Sequence, residues 1–202
     1  MVIFALLAAT LLSANAQVDP GVHASLRADV RAEYEILSSL VDDLNQDGLP
    51  DWVGVLKIQR SHGPHTRIYV LQREKSGMAV KGRSKEIAFM DCAGTCGVEM
   101  HDAKRGDFFV RQYDAGGWGR VGVITQFSLR NHRWIAIGQR RTSIDADHDV
   151  EETVDVNLLT GQFVTSKISG GMSGHASPPR TTRGVRRSAK PIGLERFDPV
   201  YF

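Results

Sequence analysis

An antiparallel β fold, either a meander or a sandwich, is what this sequence predicts, with a short helix before it and a partly mobile tail after it. Three observations point there. From Tyr34 onward the chain breaks into short runs rich in Val, Ile, Phe and Tyr, punctuated by Gly, Asn, Asp and His, which are strand and turn signals. Between Arg120 and Arg130, Val121, Val123, Thr125, Phe127 and Leu129 share one face while Arg120, Gly122, Gln126, Ser128 and Arg130 mostly take the other. That alternation marks a half-buried antiparallel strand. No apolar periodicity of helical length occurs between Asp51 and Ile168.

The elements follow in order. Leu26, Val30 and Tyr34 recur every four residues and predict a short peripheral helix over 24–33. Strands are expected over Tyr34–Val41, Trp52–Gln59, Ile68–Arg73, Ile87–Met90 and Phe108–Tyr113. Asn131 and His132 make a tight turn between Arg120–Arg130 and a return strand, Arg133–Arg141, which is a hairpin signature. A second hairpin spans Thr153–Lys167, with Val154, Val156 and Leu158 leading to a turn at Thr160-Gly161 and Phe163 returning.

Residues 1–16 carry no charged side chain, and the run VIFALLAATLL is too short to span a bilayer. Ala14-Asn15-Ala16 supplies the small residues that a signal peptidase requires, so a secretory leader cleaved after Ala16 is expected, with the rest periplasmic or secreted. No later stretch is apolar enough to cross a membrane. At 202 residues with 42% hydrophobic composition, one β-rich domain over 17–168 is expected. The 25 Lys and Arg balance 23 Asp and Glu, which gives no reason to expect nucleic acid. Residues 169–190 hold Gly170-Gly171, Ser173-Gly174, Pro178-Pro179 and a basic run to Lys190, the composition of a mobile linker. Residues 191–202 regain Ile192, Leu194, Phe197, Val200, Tyr201 and Phe202, and are expected to dock on the sheet.

Export permits disulfides. Cys92 and Cys96, in Asp-Cys-Ala-Gly-Thr-Cys-Gly, are close enough in sequence for a local bridge, which would contribute only about 2 kcal/mol in the chain-entropy model. Two reduced thiols, or half of a metal site, are the alternatives.

The informative motif is Asp43-Leu44-Asn45-Gln46-Asp47-Gly48-Leu49-Pro50-Asp51, which spells D-x-N-x-D-G-x-x-D. Calcium takes six to eight oxygens, and alternate side chains on a tightly curled loop can point at one centre. Asp43, Asn45 and Asp47 would serve positions 1, 3 and 5, the Leu49 carbonyl position 7, and Asp51 position 9, with Gly48 allowing the sharp turn. Without a cation, carboxylates about 5 Å apart repel by roughly 0.8 kcal/mol per pair even in water. An Asx-rich turn that binds nothing is the alternative. An EF-hand needs a bidentate Glu at position 12, where this chain has Gly54.

The loop resembles the calcium hairpin of FG-GAP/VCBS, integrin-propeller-like repeats, in which D-x-N-x-D-G-x-x-D joins two strands. One copy is present, whereas a propeller needs several, and Gln46 stands where that family usually has Gly. More widely, the chain resembles exported bacterial proteins of unknown function with one such loop near the N-terminus. That resemblance runs over 34–167 and 194–202, through DLNQDGLPD, Gly116-Gly117-Trp118, the Phe127–Trp134 hairpin and Asn157-Leu158-Leu159-Thr160-Gly161. It implies no known reaction.

Other candidates carry less. Asp145-Ala146-Asp147-His148-Asp149 repeats the alternating acids but has Val150 where Gly should follow, and reads as a solvated loop. His62 and His65 form an H-x2-H pair without a third ligand, and the G-x-S-x-G pattern fails around Ser173. Trp118, among glycines, is either a stacking platform for a sugar or peptide or a plug at one end of the sheet. The expected function is therefore a non-catalytic, exported calcium-binding module of the cell envelope with a protein or glycan partner. An envelope hydrolase with an unrecognised site is the alternative.

Overall fold

The computed structural model describes residues 18–89, 96–104, 106–114, 119–171, 173–186 and 190–198. The expected leader, Cys92, the side chain of Cys96, and Trp118 lie outside the described residues, so the disulfide and the stacking platform fall there too.

The chain opens with helix α1, Pro20–Val30. Asp19 caps it, its carboxylate accepting from the Gly21 N–H at 2.7 Å, and Pro20 occupies the first turn, where its missing N–H costs nothing. Arg31, at φ 51°, ends it in the left-handed conformation. The helix thus lies earlier than the apolar spacing predicts: cap and proline set its start, and Tyr34 is the first residue of a strand.

Two antiparallel sheets follow. The first holds β1 (Tyr34–Asp42), β2 (Asp51–Arg60), β3 (Gly63–Glu74) and β4 (Gly77–Arg83) in consecutive order, with β5 (Ile87–Ala88) pairing back onto β3. The second holds β6 (Cys96–Lys104), β7 (Asp107–Asp114), β8 (Gly119–Arg130), β9 (Arg133–Asp145), β10 (Val150–Asn157), β11 (Gln162–Ser169) and β12 (Arg180–Val185), again consecutive. Its last member is β13 (Ile192–Gly193), which pairs with β9. Apart from β5 and β13, each of these strands pairs with the next in the chain, so both sheets are built as meanders. A short 3-10 helix, Leu194–Arg196, follows β13. Among the described residues no helix is long and apolar enough to cross a membrane.

Three layers result. Val22, Leu26 and Val30 of α1 cover one face of the small sheet through Trp52, Leu56, Ile58, Tyr69 and Leu71. The other face, with Val53, Val55, Ile68 and Val70, packs against Met100, Phe108, Val110, Phe127, Trp134 and Ala136 of the large sheet. Phe108 and Phe127 stack with centroids 5.0 Å apart, and Phe197 meets Phe127 edge-on, also at 5.0 Å. This arrangement explains β2, whose first six residues are all buried rather than alternating: helix covers one side and sheet the other. Gly54 belongs to this packing. A Cβ there would overlap ring carbons Cζ2 and Cη2 of Trp52, so glycine lets the indole lie flat along the strand.

Bulges adjust the layers. One at Leu37 lies between the Ile36 and Ser38 pairings to β2, and after it the Ser38 hydroxyl accepts from the Met100 N–H of the large sheet at 2.8 Å. Another lies at Ile137, between the Gly138 and Ala136 pairings to β8, and the Ile137 carbonyl accepts from Leu158 N–H at 2.9 Å.

The segment expected as linker, 169–190, differs from its reading, since β12 lies within it and pairs from Arg180↔Lys167 to Val185↔Gln162. Its weak apolar content hides a strand held by ladder hydrogen bonds. In the closing segment, Leu194 and Phe197 enter the main core.

Candidate functional site

The loop between β1 and β2 is organised from its own side chains. Asp43 Oδ1 accepts from the Asp47 N–H at 3.0 Å and Oδ2 from the Gly48 N–H at 2.9 Å. Asn45 Oδ1 also accepts from Asp47 N–H, at 3.1 Å, while its Nδ2 donates to Asp47 Oδ2 at 2.8 Å. Asp47 Oδ1 in turn accepts from Leu49 N–H at 2.8 Å. These Asx turns curl the chain around the oxygens of Asp43, Asn45 and Asp47. Two residues take left-handed backbone, Gly48 at φ 85° and Gln46 at φ 61°. That second value explains physically why glycine suits the Gln46 position. The Gln46 side chain lies against Gly106 of the β6–β7 turn, where a Cβ would overlap its Nε2.

Two buried residues anchor the loop. Leu44, at motif position 2, plugs the main core. Asp51 is fully buried at the start of β2; its Oδ1 accepts from Arg73 N–H at 2.9 Å and its Oδ2 from Asn45 N–H at 3.1 Å. Burial pushes the Asp51 carboxyl above the ordinary range, partly opposed by those backbone donors and helped by the nearby Asp47 charge. The structure thus brings Asp43, Asn45, Asp47 and Leu49 into one turn at the tip of a hairpin, with Asp51 beneath them holding backbone.

Donors in the loop are oxygens throughout, the chemistry of a hard cation such as calcium. Among the described residues, no three His, Cys, Asp or Glu side chains gather closely enough to hold a metal. A dication here would therefore draw part of its shell from the Asn45 amide oxygen, the Leu49 carbonyl and water. Sequence reasoning missed Leu44 and Arg73 as supports. The apolar residue at position 2 is a visible signal for the first; the second acts through a backbone N–H and carries none.

The other candidates make local contacts. His65 Nδ1 lies 2.9 Å from the Gly63 carbonyl in the β2–β3 turn. In the acidic loop 145–149, Asp145 Oδ2 pairs with His148 Nδ1 at 2.7 Å; that bond is the main reason its carboxyl sits below the ordinary range. The large sheet also carries an open groove of about 610 Å³ on the face away from the small sheet, where Phe109, Ile124 and Val164 lie beside the Arg140–Asp155 pair at 2.7 Å. Compared with family models, with curated proteins and with solved structures, the chain matches none.

Proposed function

We propose that this chain is an exported, calcium-binding β-sandwich module of the cell envelope that works by binding rather than catalysis. The observation that supports this best is the Asp43–Asp51 hairpin tip, where three oxygen-bearing side chains and two left-handed residues curl one short turn around hard donors. Such a turn leaves lone pairs on Asp43, Asn45 and Asp47 beyond those that accept loop N–H groups. Calcium tolerates the irregular, partly hydrated shell that this donor set offers, whereas magnesium demands a tighter octahedron. The groove on the outer face of the large sheet is the surface offered to a partner. Export rests on the apolar leader and its Ala14-Asn15-Ala16 processing site.

Binding to the folded state alone must raise stability. At about 0.1 to 1 mM affinity, the range of extracellular modules, free calcium at ten times the dissociation constant adds roughly 1.4 kcal/mol. The test is thermal denaturation of wild type and Asp47→Ala in chelator and in millimolar calcium, with calorimetry alongside. Calcium raises the wild-type midpoint, magnesium raises it less, and the variant shows no gain. An unchanged wild-type midpoint with no heat of binding would mean that the loop is only an Asx turn.

A further inference from the structure

Of the large sheet's two edges, one is covered. At β6 the edge faces β1, and the Met100 N–H is given to the Ser38 hydroxyl across the gap. At the other edge stands β12, paired to β11 over its six residues, from Arg180↔Lys167 to Val185↔Gln162. Among the described residues no backbone group bonds to its far side. A free strand edge of this kind is a template for one more strand.

The edge is held in shape by this chain alone. Ser177 N–H donates to the Ser169 carbonyl at 2.8 Å before the chain enters β12, and Arg186 N–H donates to the Gly161 carbonyl at 2.7 Å where it leaves. Between them Phe163 lies on Gly184, at which a Cβ would stand 2.7 Å from the ring, and the Arg186 guanidinium carbon is 5.0 Å from the centroid of the same ring. An aromatic ring laid over an edge glycine supports the strand where its own side chains do not. A partner therefore meets a preformed strand, and little ordering of this chain opposes binding.

Charge decides what that partner is. Successive strand residues point to opposite faces, so Arg180 and Arg183 flank the edge on either side. Both are exposed, and among the described residues neither has a carboxylate partner. Arg180 stands directly opposite Lys167, a like-charge pair that is unfavourable by itself, and the Glu152 side chain, beyond Lys167, reaches neither. Arg183 stands opposite Val164, and Val185, 62% exposed, opposite Gln162, so this face of the edge continues the groove that Val164 and Gln162 line. A second copy pairing edge to edge would gather Arg180, Arg183 and Arg186 of both chains into one seam without an acid, which disfavours self-association. A glycan has no row of amide and carbonyl groups to meet the ladder.

We propose that β12 is a docking edge to which a partner protein adds an acidic, extended segment as the next strand, with carboxylates three residues apart reaching Arg180 on one face and Arg183 on the other. This edge rests on the reading that the protein works by binding, and it shares no residue with the 43–51 loop.

The experiment titrates a fluorescent, end-capped peptide, Glu-Thr-Val-Glu-Thr-Val, with the folded protein in chelator and in millimolar calcium, reading anisotropy, while NMR follows amide hydrogen exchange. Saturable binding in chelator is expected, with slowed exchange centred on β12. Of two peptides N-methylated at alternate residues, one loses binding and the other keeps it, because only one edge of the added strand faces β12. Arg180→Gln and Arg183→Gln each weaken binding by about two- to fivefold, the size of an exposed ion pair's contribution, with unchanged thermal midpoints. Lys-Thr-Val-Lys-Thr-Val fails on the wild type and binds the double variant Arg180→Glu, Arg183→Glu. No saturation by the acidic peptide would overturn the proposal. Binding that survives both N-methylation patterns and is displaced by dextran sulfate would overturn it too, as attraction of any polyanion to a basic surface. Either result leaves the calcium-dependent midpoint, and with it the 43–51 loop, to be judged separately.

Discussion

Replacing Asp51 tests whether the loop is held from below. In Asp51→Ala the Arg73 and Asn45 N–H groups, now 2.9 and 3.1 Å from carboxylate oxygens, lose their acceptors. A buried donor left unmet costs about 1–3 kcal/mol, and the Asn45 end lies near enough to solvent for water to replace part of the loss, so about 2–4 kcal/mol is expected. With a urea slope of about 2 kcal/mol/M, the midpoint falls by roughly 1–2 M. The measurement is equilibrium urea denaturation in chelator, which removes any contribution from calcium. Asp51→Asn keeps one acceptor and should fall between. The pH dependence carries its own sign. Burial raises the folded carboxyl above its unfolded value, so this group's stabilising contribution is full below the ordinary carboxylate range and shrinks as pH rises through the raised value. Asp51→Asn cannot titrate and loses that slope. A midpoint for Asp51→Ala within about 0.3 M of wild type, a difference of roughly 0.6 kcal/mol at that slope, would refute the reasoning.

Other perturbations reach other layers. Gly54→Ala places a methyl group on the Trp52 ring and 3.0 Å from the Ser38 carbonyl, so a loss of about 1–3 kcal/mol and a changed near-ultraviolet circular dichroism are expected; wild-type stability would contradict this. Glu86 receives Arg60 at 2.5 and 2.8 Å and Arg67 at 3.1 Å, and the Arg60 hydrogen bonds, opposed by burial, hold its carboxyl below the ordinary range. That stabilisation is present above the ordinary carboxylate range and is lost as pH falls through the lowered value. Glu86→Gln should cost about 1–3 kcal/mol at neutral pH, between exposed and fully buried pairs, with the difference closing in acid; a pH-independent difference would count against it. Leu194→Ala, in a 3-10 helix near the end of the described chain, should cost about 2–4 kcal/mol in urea because the side chain fills the main core, and a cost under about 1 kcal/mol would mean that the end only rests on the surface.

The sequence by itself determined the β class and most hairpins, because alternation and turn residues are local. Val123, Thr125 and Phe127 are buried on one face of β8 as their spacing predicts, and Asn131-His132 turn with φ values of 48° and 60°. It also supplied the oxygen-rich loop, whose curl follows from Asx side chains reaching backbone N–H groups a few residues away. Strands β4, β6 and β12 were not legible, since their apolar alternation is weak and their extended form comes from neighbours on the ladder. Only the tertiary structure decided that β2 is buried on both faces, that Asp51 lies beneath the loop accepting backbone N–H groups, and that Trp134 packs into the core against Phe108 and the backbone at Gly82. Each of these depends on residues far apart in the chain: α1 covering Trp52, the Arg73 N–H reaching Asp51, Gly82 admitting the indole. Pairings at that range leave no periodicity to read, because they are set by how layers meet rather than by spacing along any one strand.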